Sequence, residues 1–146
     1  MLIGEYIHTI DDKNRVSLPA KFRKEMGKKI ILTPGLDNCL FVFTLKEWEK
    51  VSKRLVNEDG DLSFLQSDKR SFNRFIFGRA LDVEVDSIGR ILIPDFLKER
   101  INPKGKVAIV GVLDRLEIWN EDLWKKYRDN AEKDADKLAE RLGEKK

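Results

Sequence analysis

One phrase occurs twice in this chain, and it limits the folds open to it. Ile10-Asp11-Asp12-Lys13-Asn14-Arg15-Val16-Ser17-Leu18-Pro19 returns as Val85-Asp86-Ser87-Ile88-Gly89-Arg90-Ile91-Leu92-Ile93-Pro94, a register of 75 residues. Both copies read apolar, Asp, three residues, Arg, three largely apolar residues, Pro. Self-similarity at that distance means two copies of one supersecondary unit, which predicts a pseudo-two-fold axis. Whatever chemistry the phrase carries, the molecule presents it twice.

The flanks repeat as well. Gly4 to Ile10 is rich in β-branched and aromatic residues and reads as a strand, Asp11 to Asn14 as a polar turn, and Arg15 to Leu18 as the return strand. Pro19 suits the first position of a helix, where the N–H it lacks would go unpaired anyway. That helix runs from Ala20 to Met26, and Gly27 stops it. Ile30 to Thr33 and Leu40 to Phe43 are strands, the second continuously apolar and so expected to be buried on both faces. Thr44-Leu45-Lys46-Glu47 has the form of a capping box, with the glutamate reaching back, and predicts a helix from Leu45 to about Leu55 with Trp48 inward.

The second half follows the same order. Ala80 to Val85 and Ile91 to Ile93 are strands around the second turn. Pro94 opens a helix through Arg100, and Lys106 to Val112 and Leu116 to Trp119 are strands. Asn120 caps a helix with Glu121 and Asp122 in its first turn, where acids favour the dipole. Trp124 falls where Trp48 fell, 76 positions earlier. Between the halves, Asn57 to Asp61 reads as a turn and Ser67 to Gly78 as a helix with Phe72, Phe75 and Ile76 as its apolar face. After Tyr127 a polar helix runs to about Gly143, with a short heptad that reads as a solvated, frayed end rather than a coiled coil. The expected division is 1–56 first repeat, 57–78 helical linker, 79–126 second repeat and 127–146 polar C-terminal helix. Each repeat is too short to bury a good core alone, so strands of the two halves are expected to interleave.

Composition bounds the partners. The 146 residues are 41% hydrophobic and 38% charged with a net charge of +3, a folded chain with a densely charged surface. A mildly basic chain needs local clustering, or many copies, to hold nucleic acid. Cys39 is the only cysteine, so no internal disulfide forms, and no apolar run approaches a membrane span. Met1 to Tyr6 has no basic region followed by an apolar core, so no signal peptide is read there. These features predict a cytoplasmic protein.

The repeated Asp-x-x-x-Arg turn, Asp11 to Arg15 and Asp86 to Arg90, resembles the signature of the MraZ family of bacterial transcription regulators. The tails agree: Pro19-Ala20-Lys21-Phe22-Arg23 and Pro94-Asp95-Phe96-Leu97-Lys98. The resemblance covers residues 1 to about 125. It implies an α+β, mainly β fold, in which two AbrB-like swapped-hairpin units form one pseudo-two-fold barrel with flanking short helices. It also implies binding of short repeated elements in double-stranded DNA upstream of the division and cell-wall gene cluster. Repression of the chain's own operon, a homo-oligomeric ring with an octamer as a common state, and a nucleoid-associated location come with it. One departure is that Asn14 stands where the second turn has Gly89. Asn tolerates the left-handed conformation, so geometry is expected to be kept while base contacts differ.

Residue by residue, Lys13, Asn14, Arg15, Lys21, Arg23 and Lys24 form the local basic cluster nearest a motif. Lysines on an exposed helix face suit phosphate contacts, although any one of them alone reads as ordinary solvated surface. An arginine after a turn can fork onto a phosphate or a guanine edge. The competing reading is that Arg15 and Arg90 only staple their turns to Asp11 and Asp86, and both can hold at once. Lys13 beside Arg15, against Ser87 and Ile88 near Arg90, favours a DNA role for Arg15 over Arg90. Catalysis has little support. His8 reads as a surface or edge residue and Cys39 as a small buried apolar one. Asp59-Gly60-Asp61 lacks the downstream glutamate of a calcium loop. Neither a cofactor, a metal nor a small-molecule substrate is expected. The runner-up to a DNA-binding regulator is a non-DNA interaction or assembly module on the same barrel.

Overall fold

The computed structural model describes residues 1–57 and 63–144. The first half comprises β1 (Leu2–Thr9), β2 (Arg15–Ser17), α1 (Ala20–Met26), β3 (Lys29–Pro34), β4 (Leu40–Thr44) and α2 (Leu45–Asn57). A one-turn 3-10 helix (Ser63–Leu65) and α3 (Ser67–Ile76) follow. Then β5 (Leu81–Glu84), β6 (Arg90–Leu92), α4 (Asp95–Ile101), β7 (Lys106–Leu113), β8 (Leu116–Asn120) and α5 (Glu121–Lys133) repeat the order, and α6 (Ala135–Glu144) comes last.

Six strands form one antiparallel sheet in the order β1-β7-β8-β4-β3-β5, while β2 and β6 pair with each other as a separate ribbon. Exchanging the halves reverses the sheet order onto itself, so a pseudo-two-fold axis runs between β4 and β8 and through the ribbon. The registers agree with it. Phe41 faces Glu117 at the centre of the β4–β8 pair, and Val16 faces Ile91 at the centre of the ribbon. Thr9 opposite Lys106 has its counterpart in Glu84 opposite Lys29.

The return strand therefore does not return. Only Ile10 and Val16 bridge β1 to β2. β1 instead pairs with β7 along its whole length. A lone three-residue hairpin buries little. Paired across the axis, Val16 and Ile91 are 0% and 1% exposed, and strands of the two halves interleave around one core. Nor does the sheet close into a barrel. β1 and β5 are its free edges, and apart from the Ile10–Val16 bridge the ribbon hydrogen-bonds within itself and its flanking turns.

The strands alternate as a two-faced sheet must. Ile30, Leu32, Leu40, Val42, Val107, Ile109, Leu116 and Ile118 face the ribbon. There they pack with Phe22 and Met26 of α1 and Leu97 and Ile101 of α4. The opposite face carries Phe41, Val110 and Trp119, with Trp124 of α5 over Trp119 at 5.3 Å and Trp48 of α2 over Phe43 at 5.5 Å between ring centroids. Both tryptophans point inward at equivalent places, as their spacing predicts. Asn120 caps α5 through the Leu123 N–H at 3.1 Å. Thr44 accepts the Glu47 N–H at 3.1 Å, but the Glu47 carboxylate lies 3.5 Å from Lys50 Nζ instead of reaching back. Thr44 is still the last residue of β4, opposite Ile30, and its backbone belongs to the ladder. The polar C-terminal helix is broken at Asp134 into α5 and α6, neither of which buries a residue.

Candidate nucleic-acid interface

The two repeated turns have one geometry. In the first, Asp11 Oδ1 accepts the backbone N–H of Lys13 at 2.9 Å and of Arg15 at 2.8 Å, and Oδ2 accepts Arg15 Nε–H at 2.8 Å. The chain closes with Asp11 N–H to Arg15 O and Asn14 N–H to Asp11 O, both 3.0 Å, with Asn14 left-handed at φ 61°. In the second, Asp86 Oδ1 accepts from Ile88 at 3.1 Å and Arg90 at 2.8 Å, Oδ2 accepts Arg90 Nε–H at 2.8 Å, and Gly89 sits at φ 84°. The backbone N–H of the arginine, opposed by slight burial and helped by the guanidinium, holds each aspartate below its ordinary carboxylate range. The motif spacing thus has a physical meaning. One carboxylate oxygen closes the turn and the other orients the arginine.

Each arginine is tied through Nε only. Among the described residues, Nη1 and Nη2 of Arg15 and Arg90 have no partner, and both side chains are about a third exposed, at 32% and 29%. Val16 and Ile91 point into the core, so Arg15, Ser17, Arg90 and Leu92 occupy the outer face of the ribbon. Arg15 faces Leu92 and Ser17 faces Arg90, which makes the two arginines diagonal neighbours, about 7–8 Å apart at Cα. A two-stranded ribbon of this kind fits the major groove of B-DNA. The Asp–Arg geometry does not distinguish the turns; only their neighbours do.

Those neighbours cross between the halves. Asn14 donates through Nδ2 to Asp95 Oδ1 at 2.7 Å and accepts Lys98 Nζ at 2.8 Å, so helix α4 clamps the first turn. Arg23 of α1 lies over the second turn, with Nε–H donated to Leu18 O at 2.9 Å and its guanidinium packed on Gly89. Leu18 N–H to Gly89 O and Ile93 N–H to Asn14 O, both 2.8 Å, complete the exchange. Lys13, Lys21 and Lys24 are exposed, the first at the tip of its turn and the others on α1. The basic residues of the first half are therefore split. Lys13, Asn14 and Arg15 stay with the first turn, whereas Arg23 serves the second. Asp95 and Lys98 were not singled out from the sequence. The signal lay in the matching tails after the two prolines, where Lys98 falls on Arg23.

Cys39 is buried, its Sγ 3.1 Å from Leu36 O, and burial, then the nearby Glu117, pushes its thiol up to about 12. His8 lies on β1, a sheet edge. Among the described residues no group of His, Cys, Asp and Glu is placed to hold a metal ion, and no helix is long and apolar enough to cross a membrane. Asp59-Gly60-Asp61 lies outside the described residues.

A family model described as "MraZ protein, putative antitoxin-like" matches the chain twice, over residues 1–75 and 76–145. A protein of Caldicellulosiruptor saccharolyticus named Transcriptional regulator MraZ is 46% identical over 144 residues, covering 99% of this chain and 98% of its own length. Proteins of the same name from Thermoanaerobacter sp. (strain X514) and Alkaliphilus metalliredigens are 44% and 42% identical, over 97% and 99% of this chain and 96% and 98% of theirs.

Proposed function

This chain belongs to the MraZ family, and we propose that it is a DNA-binding regulator of transcription, not an enzyme, whose reading element is the β2–β6 ribbon with its two turns. The observation that carries this reading is the pair of arginines on one exposed ribbon face. Each is oriented by its own aspartate, and each has its terminal nitrogens free of partners among the described residues. A guanidinium held through Nε presents its outer edge in a fixed direction, as bidentate contact with guanine O6 and N7 requires. Arg15 and Arg90 both read bases on this proposal. Lys13 and Lys21 contact phosphates, Asn14 and Arg23 hold the turns for which they are hydrogen-bonded or packed, and Asp11 and Asp86 set the arginines. The names of the relatives support the class of function.

On the same reading the chain represses its own operon, a division and cell-wall gene cluster, through short direct repeats in the upstream DNA, and is found with the nucleoid. A net charge of +3 leaves each subunit few phosphate contacts. A homo-oligomeric ring, such as an octamer, that engages several repeats at once multiplies weak contacts through effective concentration. The test is binding of a labelled duplex from the region upstream of the chain's own gene, with Arg15→Ala, Arg90→Ala and the double variant. Each single change should weaken binding about 5- to 150-fold for each repeat engaged, the worth of one specific arginine contact. Assembly size and far-ultraviolet circular dichroism should be unchanged. A double variant that assembles normally and binds as tightly as wild type rules out the ribbon as the reading element. Normal assembly with no binding of any upstream duplex by wild type favours an interaction or assembly module instead.

A further inference from the structure

We propose that Ile88, at the tip of the second turn, reads a thymine methyl group, so that the two turns of one subunit recognise different bases. The inference rests on the ribbon being the DNA-reading element.

Ile88 is 57% exposed, although Ile91 and Ile93 shortly after it are 1% and 0% exposed; Leu92, at 55%, shares the outer face of the ribbon. Turn chemistry does not call for it either. Gly, Asn, Asp and Ser serve tight turns, and a β-branched side chain contributes nothing to the reversal. The fold supplies no reason for an isoleucine here.

The tip is also held rigidly. The backbone N–H of Ile88 is bound by Asp86 Oδ1 at 3.1 Å, and the next residue, Gly89, donates its N–H to Asp86 O at 3.0 Å. Gly89 lies so close under Arg23 that a Cβ there would meet its Nε at 2.3 Å. A side chain with one stiff χ1, on a backbone fixed from both sides, loses little further freedom on docking. It stands two residues before Arg90, whose guanidinium supplies the polar half of a base contact. The 5-methyl of thymine is the apolar group that base pairs present in the major groove.

The first turn differs at this position, as it does where Asp12 and Asn14 stand for Ser87 and Gly89. Its equivalent of Ile88 is Lys13, exposed and cationic, with an ammonium suited to phosphate rather than to a methyl group. The backbone is thus pseudo-two-fold but its tips are not. A palindromic site would waste one of them, and the preferred site within a subunit's footprint is non-palindromic.

The probe is a duplex selected from a random pool by the full-length wild-type chain, in which each thymine in turn is replaced by deoxyuridine. That exchange removes a single methyl group and leaves pairing intact. At one thymine position, replaced in every repeat, wild type should bind the deoxyuridine form about fourfold more weakly per repeat engaged, the worth of one buried methyl-sized group. Ile88→Ala should bind both forms equally, at the weaker level. Lys13→Ala should keep the thymine preference while lowering affinity for all sequences and flattening the salt dependence. The proposal is overturned if no position distinguishes thymine from deoxyuridine for wild type, or if Ile88→Ala retains the preference. If Arg15→Ala with Arg90→Ala binds the selected duplex normally, the fault lies with the ribbon reading on which the proposal rests.

Discussion

At Gly89 a side chain of the first half lies directly over the second turn, and Gly89→Ala measures that contact. The native φ of 84° is left-handed, which costs an alanine about 1–2 kcal/mol. The added Cβ would also stand 2.3 Å from Arg23 Nε, 2.6 Å from its Cζ and 2.7 Å from its Cδ, below any real contact. Arg23 is a flexible, exposed side chain, so it moves aside. In moving it gives up the bond from Nε–H to Leu18 O, worth about 0.5–1.5 kcal/mol. Together these amount to about 1.5–3.5 kcal/mol. For a chain of this length that lowers Tm by roughly 3–14 °C. Thermal unfolding followed by circular dichroism reads it, and Arg23→Ala provides the cycle. In the Arg23→Ala background only the backbone cost of Gly89→Ala should remain. There Gly89→Asn should be cheaper still, because Asn tolerates the left-handed conformation, as Asn14 does in the other turn. A Tm within about 1 °C of wild type for Gly89→Ala refutes the reasoning on strain. An undiminished cost in the Arg23→Ala background refutes the assignment of Arg23 as the obstacle.

Asp11→Asn keeps an oxygen for the backbone N–H groups of Lys13 and Arg15 but loses the charge beside Arg15 Nε. It should weaken DNA binding and lower Tm at neutral pH, but by less than Asp11→Ala, which loses the acceptor for the turn's backbone N–H groups as well. Because the native carboxyl of Asp11 is held below its ordinary range, its stabilising contribution is complete above that range and disappears as pH falls through the lowered native value. Melts between about pH 5 and pH 2 should therefore show a shallower acid limb for Asp11→Asn than for wild type, and identical limbs count against the carboxylate's role. Cys39, with its thiol pushed up to about 12, holds roughly one thiolate in ten thousand at pH 8. Iodoacetamide should leave it unmodified until denaturant unfolds the chain, and rapid labelling of the native protein would contradict its burial.

Local structure was legible in the residue order because its causes are local. The repeat, the turns, the helix stop at Gly27 and the Asn120 cap each depend on groups within a few positions of one another. So does the pairing of Asp11 with Arg15 and of Asp86 with Arg90, where four-residue spacing lets one carboxylate serve both turn and side chain. The Glu47 carboxylate lies beside Lys50 Nζ, one turn on, instead of closing back on Thr44. Partners across the chain are a different matter. Nothing in Arg15 to Leu18 says whether β2 lies along β1 or along β6. Both offer a strand edge, and the choice falls to whichever pairing buries Val16 and Ile91 in a common core. That choice leaves β1 and β5 as open edges instead of a closed barrel. It also brings Lys98 and Asp95 onto Asn14, from 84 and 81 positions away, and Arg23 onto Gly89, from 66. The residue order carries the parts of the two turns. Only the exchange of strands between the halves puts Arg15 and Arg90 on one face, because the apolar sides of both strands can leave water together only there.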